Sequence, residues 1–371
     1  MIKTYTYKIK PNKALEQKFE EQLGICRYVY NLGIEVREES FKKGIWINYY
    51  NLSKQLTVAK REFEWLRQPH SLTLIAILER LELGYKKFFA DLKKGNKTSK
   101  PKWAKKNKWK SLPFKQGNVR TNKPDLRFEE GGKFNLPKFG KIKVFKSKVP
   151  KGEIRTASII KEADGLYLKV VVKEQDIEQI RENQSICSID MGIKHFLVTS
   201  DGEYFENPRH MFQYLKELRV ENRKLSRMKK GGSNYKKQVK VLQRLYLKIS
   251  RVRKDFLHKQ SRYLANNYST VVREDLQISK MVKGSKLAKH ILDCSWGTFF
   301  ELLEYKTNVV KVNPAYTSQE CSNCGHTCKE NRKTQSLFEC VKCNFTMNAD
   351  EQACINILQR GQSLMEANVE Q

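Results

Sequence analysis

The sequence predicts a mixed α/β protein: a β domain that carries a helical insertion, followed by a mixed sheet flanked by helices that carries a small metal-binding module. Three observations predict it. Strand-period and helix-period segments alternate along a chain of 371 residues, long enough for two or three domains with real cores. Two Cys-x-x-Cys pairs, Cys321/Cys324 and Cys340/Cys343, lie fifteen residues apart, the spacing of a four-thiolate Zn²⁺ site in which each pair comes from one tight knuckle. The net charge is +32, which asks for a polyanionic partner. Nucleic acid is the first candidate and an anionic membrane surface the second.

Composition narrows the class further. Hydrophobic residues make up 39%, a globular rather than a disordered value. No apolar run reaches the roughly eighteen residues of a membrane span, and MIKTYTYKIKP lacks the apolar core of a signal peptide. The expectation is a soluble, cytoplasmic protein with no membrane partner. The remaining cysteines (Cys26, Cys187, Cys294, Cys328 and Cys354) are scattered and bring the total to an odd number, which argues against a disulfide framework.

Taken in order, residues 2–9 alternate as a strand with one buried face. From Lys13 the period turns helical through Leu15, Phe19 and Leu23, a second helical run spans about Leu52 to Glu64, and a third follows Pro69 with Ser71 as its expected cap. The stretch KKGNKTSKPKWAKKNKWKSLPFKQ is mostly lysine with interleaved aromatics. Lysines neutralise phosphates and aromatics stack on bases, so Lys102, Trp103, Lys105 and Lys106 are candidate nucleic-acid contacts; a solvated linker anchored by its tryptophans is the plain alternative. Short strands broken by turns follow: Leu126–Phe128, Phe134–Leu136, Lys141–Phe145, Ala157–Lys161 and Leu166–Val172, the last two joined by a hairpin at Asp164-Gly165. They read as a small β-barrel or sandwich that the N-terminal strand completes, with the helices as its insertion.

After a charged connector, Lys173 to Asn183, SICSIDMGIKHFLV reads as one strand, Ser185 to Val198, with Asp190 in an apolar setting, followed by a hairpin at Asp201-Gly202. An acid in a buried strand is costly without a partner or cation. Residues 211–263 form a helical stretch broken at Gly231-Gly232, with one stripe on Leu215, Leu218 and Leu225 and another that includes Val241, Leu242, Leu245, Ile249 and Leu257. Its other faces are crowded with cations, among them Arg223, Arg227, Lys229, Lys230, Arg244 and Arg251, which have few acidic partners one turn away and so suit phosphates. Ser269–Ile278 is a β-branched strand that reaches Glu274 and Asp275. A basic loop (Lys280 to Lys289), a helix with Trp296, Phe299, Phe300, Leu303 and Tyr305, and a strand at Val309–Val312 lead into the cysteine module. The aromatics Trp296 and Tyr305 are expected to pack the sheet. Asn348-Ala349-Asp350 then opens a last helix.

Asp190 in a strand, Glu274 at a strand end and Asp350 at a helix start follow the element order of an RNase H-like fold. Carboxylates from such distant points converge where two hard cations about 4 Å apart are to be held. Oxygen ligands suit Mg²⁺ or Mn²⁺ whereas thiolates suit Zn²⁺, so the two centres should hold different metals, one catalytic and one structural.

IDMGIKHFLVTSDG, REDLQI, SWGTFFELLEYK and VNPAYTSQECSNCGH running into FECVKCNFTMNADEQACINIL, together with GICRYVYN and KPKW nearer the N-terminus, resemble over nearly the whole chain the TnpB (OrfB-type) family of insertion-sequence proteins, relatives of type V CRISPR effectors. The resemblance implies a RuvC-like nuclease domain (181–316 and 346–371) with catalytic, Mg²⁺-binding acids Asp190, Glu274 and Asp350. It implies a zinc ribbon (317–345) and a β-barrel wedge domain (1–11 and 93–180) with a helical recognition insert (12–92). It further implies RNA-guided cleavage of double-stranded DNA beside a short motif, with a guide RNA from the transposon end as partner. The family often carries Asn two residues after the last acid; this chain has Gln352 there and keeps Asn356. A nuclease-dead, RNA-guided DNA-binding regulator is the alternative, disfavoured by the presence of all three acids. No tyrosine nucleophile setting with paired histidines is visible, which disfavours a single-strand tyrosine transposase.

Overall fold

The alternating residues at the N-terminus form β1 (Ile2–Lys8), and the helical period then runs unbroken through α1 (Lys13–Lys42), whose N-cap Asn12 accepts the Leu15 N–H at 2.8 Å. The computed structural model describes residues 2–10, 12–117, 124–145, 149–174 and 185–369. It divides into two compact units, Met1–Glu178 and Gln179–Gln371.

In the first unit α1 is followed by α2 (Tyr49–Glu62) and α3 (Ser71–Lys93). The expected cap Ser71 is the first helical residue instead; His70 holds the cap position without a side-chain hydrogen bond. A Cβ on Gly33 would sit 2.8 Å from Leu81 Cδ2, so the missing side chain lets α1 and α3 approach closely. Arg37 and Glu82 form a buried ion pair between the same helices.

Two antiparallel sheets follow. One has the order β1-β7-β6-β2, with β2 (Ser111–Lys115), β6 (Glu153–Glu162) and β7 (Gly165–Lys173). The other is the meander β3 (Arg127–Glu129), β4 (Lys133–Leu136) and β5 (Gly140–Lys143). An Ile9–Val144 bridge links the end of β1 to the end of β5. The hairpin at 163–164 places Gly165 as the first residue of β7. The lysine-rich stretch, read from the sequence as a nucleic-acid contact or a solvated linker, ends in the strand β2. Pro113 is tolerated because β2 is an edge strand, and Leu112 and Phe114 on its other face are buried. Helices and sheets share one apolar core that includes Phe19, Leu74, Ile77, Leu81, Phe114, Phe134 and Leu168.

The expected connector Lys173 to Asn183 lies almost wholly outside the described residues, as does the 180/181 boundary. In the second unit the single strand expected over Ser185–Val198 is two antiparallel strands, β8 (Ile186–Met191) and β9 (His195–Thr199). Gly192 makes the turn, and a Cβ there would lie 2.7 Å from the His195 carbonyl oxygen. β10 (Tyr204–Glu206) completes that hairpin. The helices α4 (His210–Gln213), α5 (Leu215–Ser226) and α6 (Ser233–Asn267) follow, α5 and α6 packing through Leu218, Leu242, Leu245 and Ile249. Val241, expected on the apolar stripe, is exposed, because the stripe runs through Leu242, Leu245 and Ile249 at three- and four-residue spacing.

β11 (Thr270–Glu274), α7 (Ile278–Val282), α8 (Ala288–Cys294), α9 (Trp296–Glu304) and β12 (Asn308–Val312) come next, so the expected basic loop is shortened by a helix at each end. Trp296 is buried, whereas Tyr305, just past the end of α9, is exposed at 41%. The chain ends in the hairpin β13 (Leu337–Glu339) and β14 (Thr346–Asn348) and then α10 (Ala349–Val369). The sheet order is β10-β9-β8-β11-β12, antiparallel through β8 and parallel through β8, β11 and β12. One face packs on α6 and α9 through Ile189, Val271, Leu257, Leu264, Phe299 and Leu303, and the other on α10 through Val272 and Ile357. A Cβ on Gly361 would meet Val272 Cγ1 at 2.5 Å, so this glycine sets how close α10 lies to the sheet.

Candidate active site

Strand alternation decides where the acids point. In β8, Cys187 and Ile189 face the α6/α9 core, while Ser188 Oγ donates to the Cys354 carbonyl of α10 at 2.6 Å. Asp190, two residues on from Ser188, therefore falls on the α10 side. In β11, Val271 belongs to the α6/α9 core and Val272 to the α10 side, so Glu274 shares the face of Val272. The parallel register pairs Arg273 with Ile189, which brings the next residues, Glu274 and Asp190, side by side at the carboxyl ends of their strands. α10 covers this face and begins at Ala349, so Asp350 lies in its first turn. All three acids line one cleft of about 410 Å³ together with Lys194, His195, Trp296, Thr317 and Arg332.

Burial, and then the nearby Glu274 and Asp350 carboxylates, push Asp190 up to about 7, against the Arg332 guanidinium. Burial also raises Glu274, opposed by the Thr317 hydroxyl and Arg360; Thr317 Oγ1 donates to Glu274 Oε1 at 2.5 Å. Arg332 Nη2 lies 3.2 Å from Asp350 Oδ1 and 3.0 Å from the Gln335 carbonyl it donates to. A buried carboxylate raised by two neighbouring ones is short of positive charge, and the hard oxygens of the three are the donor set of Mg²⁺ or Mn²⁺. The three are less tightly drawn together than the cysteines. Among the described residues, only the cysteine group has three or more candidate ligand atoms all within 4.8 Å of one another. Two cations roughly 4 Å apart need ligands spread over a longer span than one ion does.

Cys321, Cys324, Cys340 and Cys343 form that tighter group. Cys321 Sγ lies 3.7 Å from Cys343 Sγ, and Cys324 Sγ lies 3.7 Å from Cys340 Sγ. Four sulfurs each about 2.3 Å from a central Zn²⁺ stand roughly 3.8 Å apart at the corners of a tetrahedron, so the set fits the ion. The two knuckles are built alike: Gly325 N–H donates to the Cys321 carbonyl at 2.8 Å, and Asn344 N–H to that of Cys340 at 2.9 Å. Buried Asn331 joins them, its Nδ2 donating to the Gln319 and His326 carbonyls and its Oδ1 accepting from Val341 N–H. Cys328 stands outside the cluster, with its Sγ 2.7 Å from Glu330 Oε2.

The basic candidates are all at the surface. Lys102, Trp103, Lys105 and Lys106 are exposed in the first unit, and Arg223, Arg227, Lys229, Lys230, Arg244 and Arg251 are exposed on α5, α6 and the turn between them. The tryptophans of the lysine-rich stretch differ. Trp103 is exposed at 52%, but Trp109 packs on Tyr30 and Arg80 and is not free to stack on a base. Asn31 ties the stretch to α1 by accepting from Ala104 N–H at 2.7 Å. Sequence reasoning missed Arg332 and Thr317 as residues of the cleft. Arg332 is one cation among many in the sequence, and Thr317 is brought to Glu274 only by the path of the chain; neither carries a spacing signal.

Among known protein families, the model described as "Probable transposase" (OrfB_IS605) matches residues 169–284, "Cas12f1-like, TNB domain" matches 296–357, and "Helix-turn-helix domain" (HTH_OrfB_IS605) matches 1–45. Together they cover more than half of the chain. Within the last of these the described residues form β1 and the whole of a single unbroken helix, α1. The chain is 29% identical over 98% of its length to "Putative RNA-guided DNA endonuclease InsQ" of Escherichia coli K12, 93% of which is covered. It is 26% identical over 97% of its length to "Putative RNA-guided DNA endonuclease" of Streptomyces pristinaespiralis, 89% of which is covered. In fold it is similar to the mini-RNA-guided endonuclease CRISPR-Cas_phi3, with a TM-score of 0.52 and 11% identity across 97% of this chain and 92% of that one.

Proposed function

Because this chain belongs to the OrfB (TnpB-type) family of insertion-sequence proteins, we infer that it is an RNA-guided DNA endonuclease, and we propose that Asp190, Glu274 and Asp350 are its catalytic acids. The observation that carries the site assignment is the shared cleft: acids far apart in sequence, from β8, β11 and α10, line one concavity. Mg²⁺ or Mn²⁺ bound there would activate a water and offset charge at the scissile phosphate and the leaving 3′-oxygen.

The chain's own groups have separable roles. Glu274 is held by the Thr317 hydroxyl. Arg332, beside Asp350, supplies a fixed cation in the lining of the acidic cleft, available to a phosphodiester that enters it. Zn²⁺ on the four cysteines keeps residues 317–345 folded, and with them the approach to Asp350. The basic faces bind RNA and DNA backbones, while base pairing with a guide RNA from the transposon end reads the target sequence. On this reading residues 181–316 and 346–371 are the RuvC-like nuclease domain and 317–345 the zinc ribbon. Residues 1–11 and 93–180 form the wedge domain, with 12–92 as its recognition insert; these would read the short motif beside the target.

The test is cleavage of matched double-stranded DNA by purified protein, guide RNA and Mg²⁺. Loss of product in Asp190→Ala, Glu274→Ala and Asp350→Ala with target binding retained is the expected result. Target binding without any product from the wild type would favour the nuclease-dead regulator, and cleavage unchanged in all three variants would overturn the site.

A further inference from the structure

The segment between β12 and the first cysteine knuckle, residues 313–320, is neither helix nor strand, and non-glycine Tyr316 within it has a φ of 65°. Such a segment needs partners for its backbone from elsewhere. α10 supplies them from one face. Gln352 and Asn356, fully or almost fully buried, donate to the Glu320 carbonyl at 3.0 and 2.7 Å, and Asn356 also donates to the Thr317 carbonyl at 2.8 Å. Arg360 donates to the Asn313 and Ala315 carbonyls at 2.9 and 2.7 Å and pairs with Glu320 at 2.6 Å. The four-residue spacing of Gln352, Asn356 and Arg360 puts all three on one side of the helix. The Gln352 side chain also reaches the ribbon, where its Oε1 accepts from Ser322 Oγ at 2.9 Å, so the longer amide is accommodated.

These bonds have a common product. They fix the backbone on which Thr317, 3% exposed, stands with its hydroxyl 2.5 Å from Glu274 Oε1 and 3.1 Å from the Pro314 carbonyl. A hydroxyl has one proton to give, and the charged acceptor at the shorter distance takes it. We propose that Thr317 is a positioning residue for Glu274, held in place by Asn356, Gln352 and Arg360 of α10. Its hydrogen bond occupies one carboxylate oxygen and orients the other toward the cleft, as outer-shell partners orient metal ligands. The inference rests on the reading of Glu274 as a metal-binding acid.

The experiment uses the full-length chain. Mn²⁺ binding is measured by electron paramagnetic resonance on the protein without RNA, and Mg²⁺-dependent cleavage on the protein with guide RNA, with zinc content and thermal unfolding as checks on folding. Thr317→Val keeps the shape and removes the hydroxyl. It should weaken Mn²⁺ binding about tenfold or more and raise the Mg²⁺ needed for half-maximal cleavage by a similar factor, with most of the rate recovered at saturating Mg²⁺. Thr317→Ser should restore both values. Asn356→Leu should shift them in the same direction, and combined with Thr317→Val it should add little, because both act through one hydrogen bond to Glu274. If Thr317→Val fails to fold, Thr317→Ala carries the same expectation. Wild-type metal dependence in the hydroxyl-free variant, or no rescue by serine, overturns the proposal. Wild-type cleavage by Glu274→Ala would instead overturn the nuclease-site reading, so the two failures are distinguishable.

Discussion

Replacing Asp190 by Asn should stabilise the protein at neutral and alkaline pH while abolishing cleavage. Asp190 is pushed from an ordinary 3.8 up to about 7, first by burial and then by Glu274 and Asp350. A raised value means that the folded state holds a proton the unfolded chain has released. The stability this group contributes is therefore complete below about pH 4, falls by about 1.4 kcal/mol per pH unit as pH rises, and is lost once pH passes 7. Asn does not titrate and keeps the shape. Between about pH 5 and about pH 8 the variant should gain on the wild type across two titrating units, or about 3 kcal/mol. Urea unfolding at the two pH values, in buffers without divalent cations and without chelator so that Zn²⁺ stays in place, measures this. Added Mg²⁺ should recover stability in the wild type more than in the variant. Parallel pH profiles for the two proteins, or a variant less stable at the higher pH, would refute the argument that burial and the neighbouring carboxylates raise Asp190 in the cleft.

Three further outcomes are expected. Cys340→Ser should lose Zn²⁺ by atomic absorption and open residues 317–345 to proteolysis, since structural Zn²⁺ contributes folding free energy directly. Gly361→Ala should cost about 1–3 kcal/mol in urea unfolding, because its Cβ would meet Val272 Cγ1 at 2.5 Å and Val272 is fully buried on the central strand β11. Lys229→Ala with Lys230→Ala, both exposed between α5 and α6, should weaken RNA binding without sequence preference. The double change should flatten the salt dependence of log K by roughly one unit for each phosphate no longer neutralised, read by filter binding across a salt series.

Local chemistry made much of the second unit legible. The valines of β11 can be buried on both faces, and that run is visible in the sequence; so is the point where Asp350 enters a helix. The boundary between β8 and β9 was hidden, because apolar residues continue on both sides of Gly192 and only the close approach there marks the turn. β2 was hidden for the opposite reason: Pro113 and a lysine-rich approach mask two buried residues on an edge strand. Trp103 and Trp109 read alike in sequence, yet one is exposed and the other lies against Tyr30 and Arg80.

The sequence by itself determined the ligand types and their spacing within single knuckles, the excess of positive charge, and the three acids by their place in a strand, at a strand end and at a helix start. These are properties of a residue and its near neighbours. Only the tertiary structure decided that Asp190 and Glu274 lie on the face that α10 covers, and that Arg332 and Thr317 come to stand beside Asp350 and Glu274. The parallel pairing of β8 with β11 joins residues more than eighty positions apart. Its partners are chosen by burial over the whole sheet, a sum to which no single stretch of chain holds the terms.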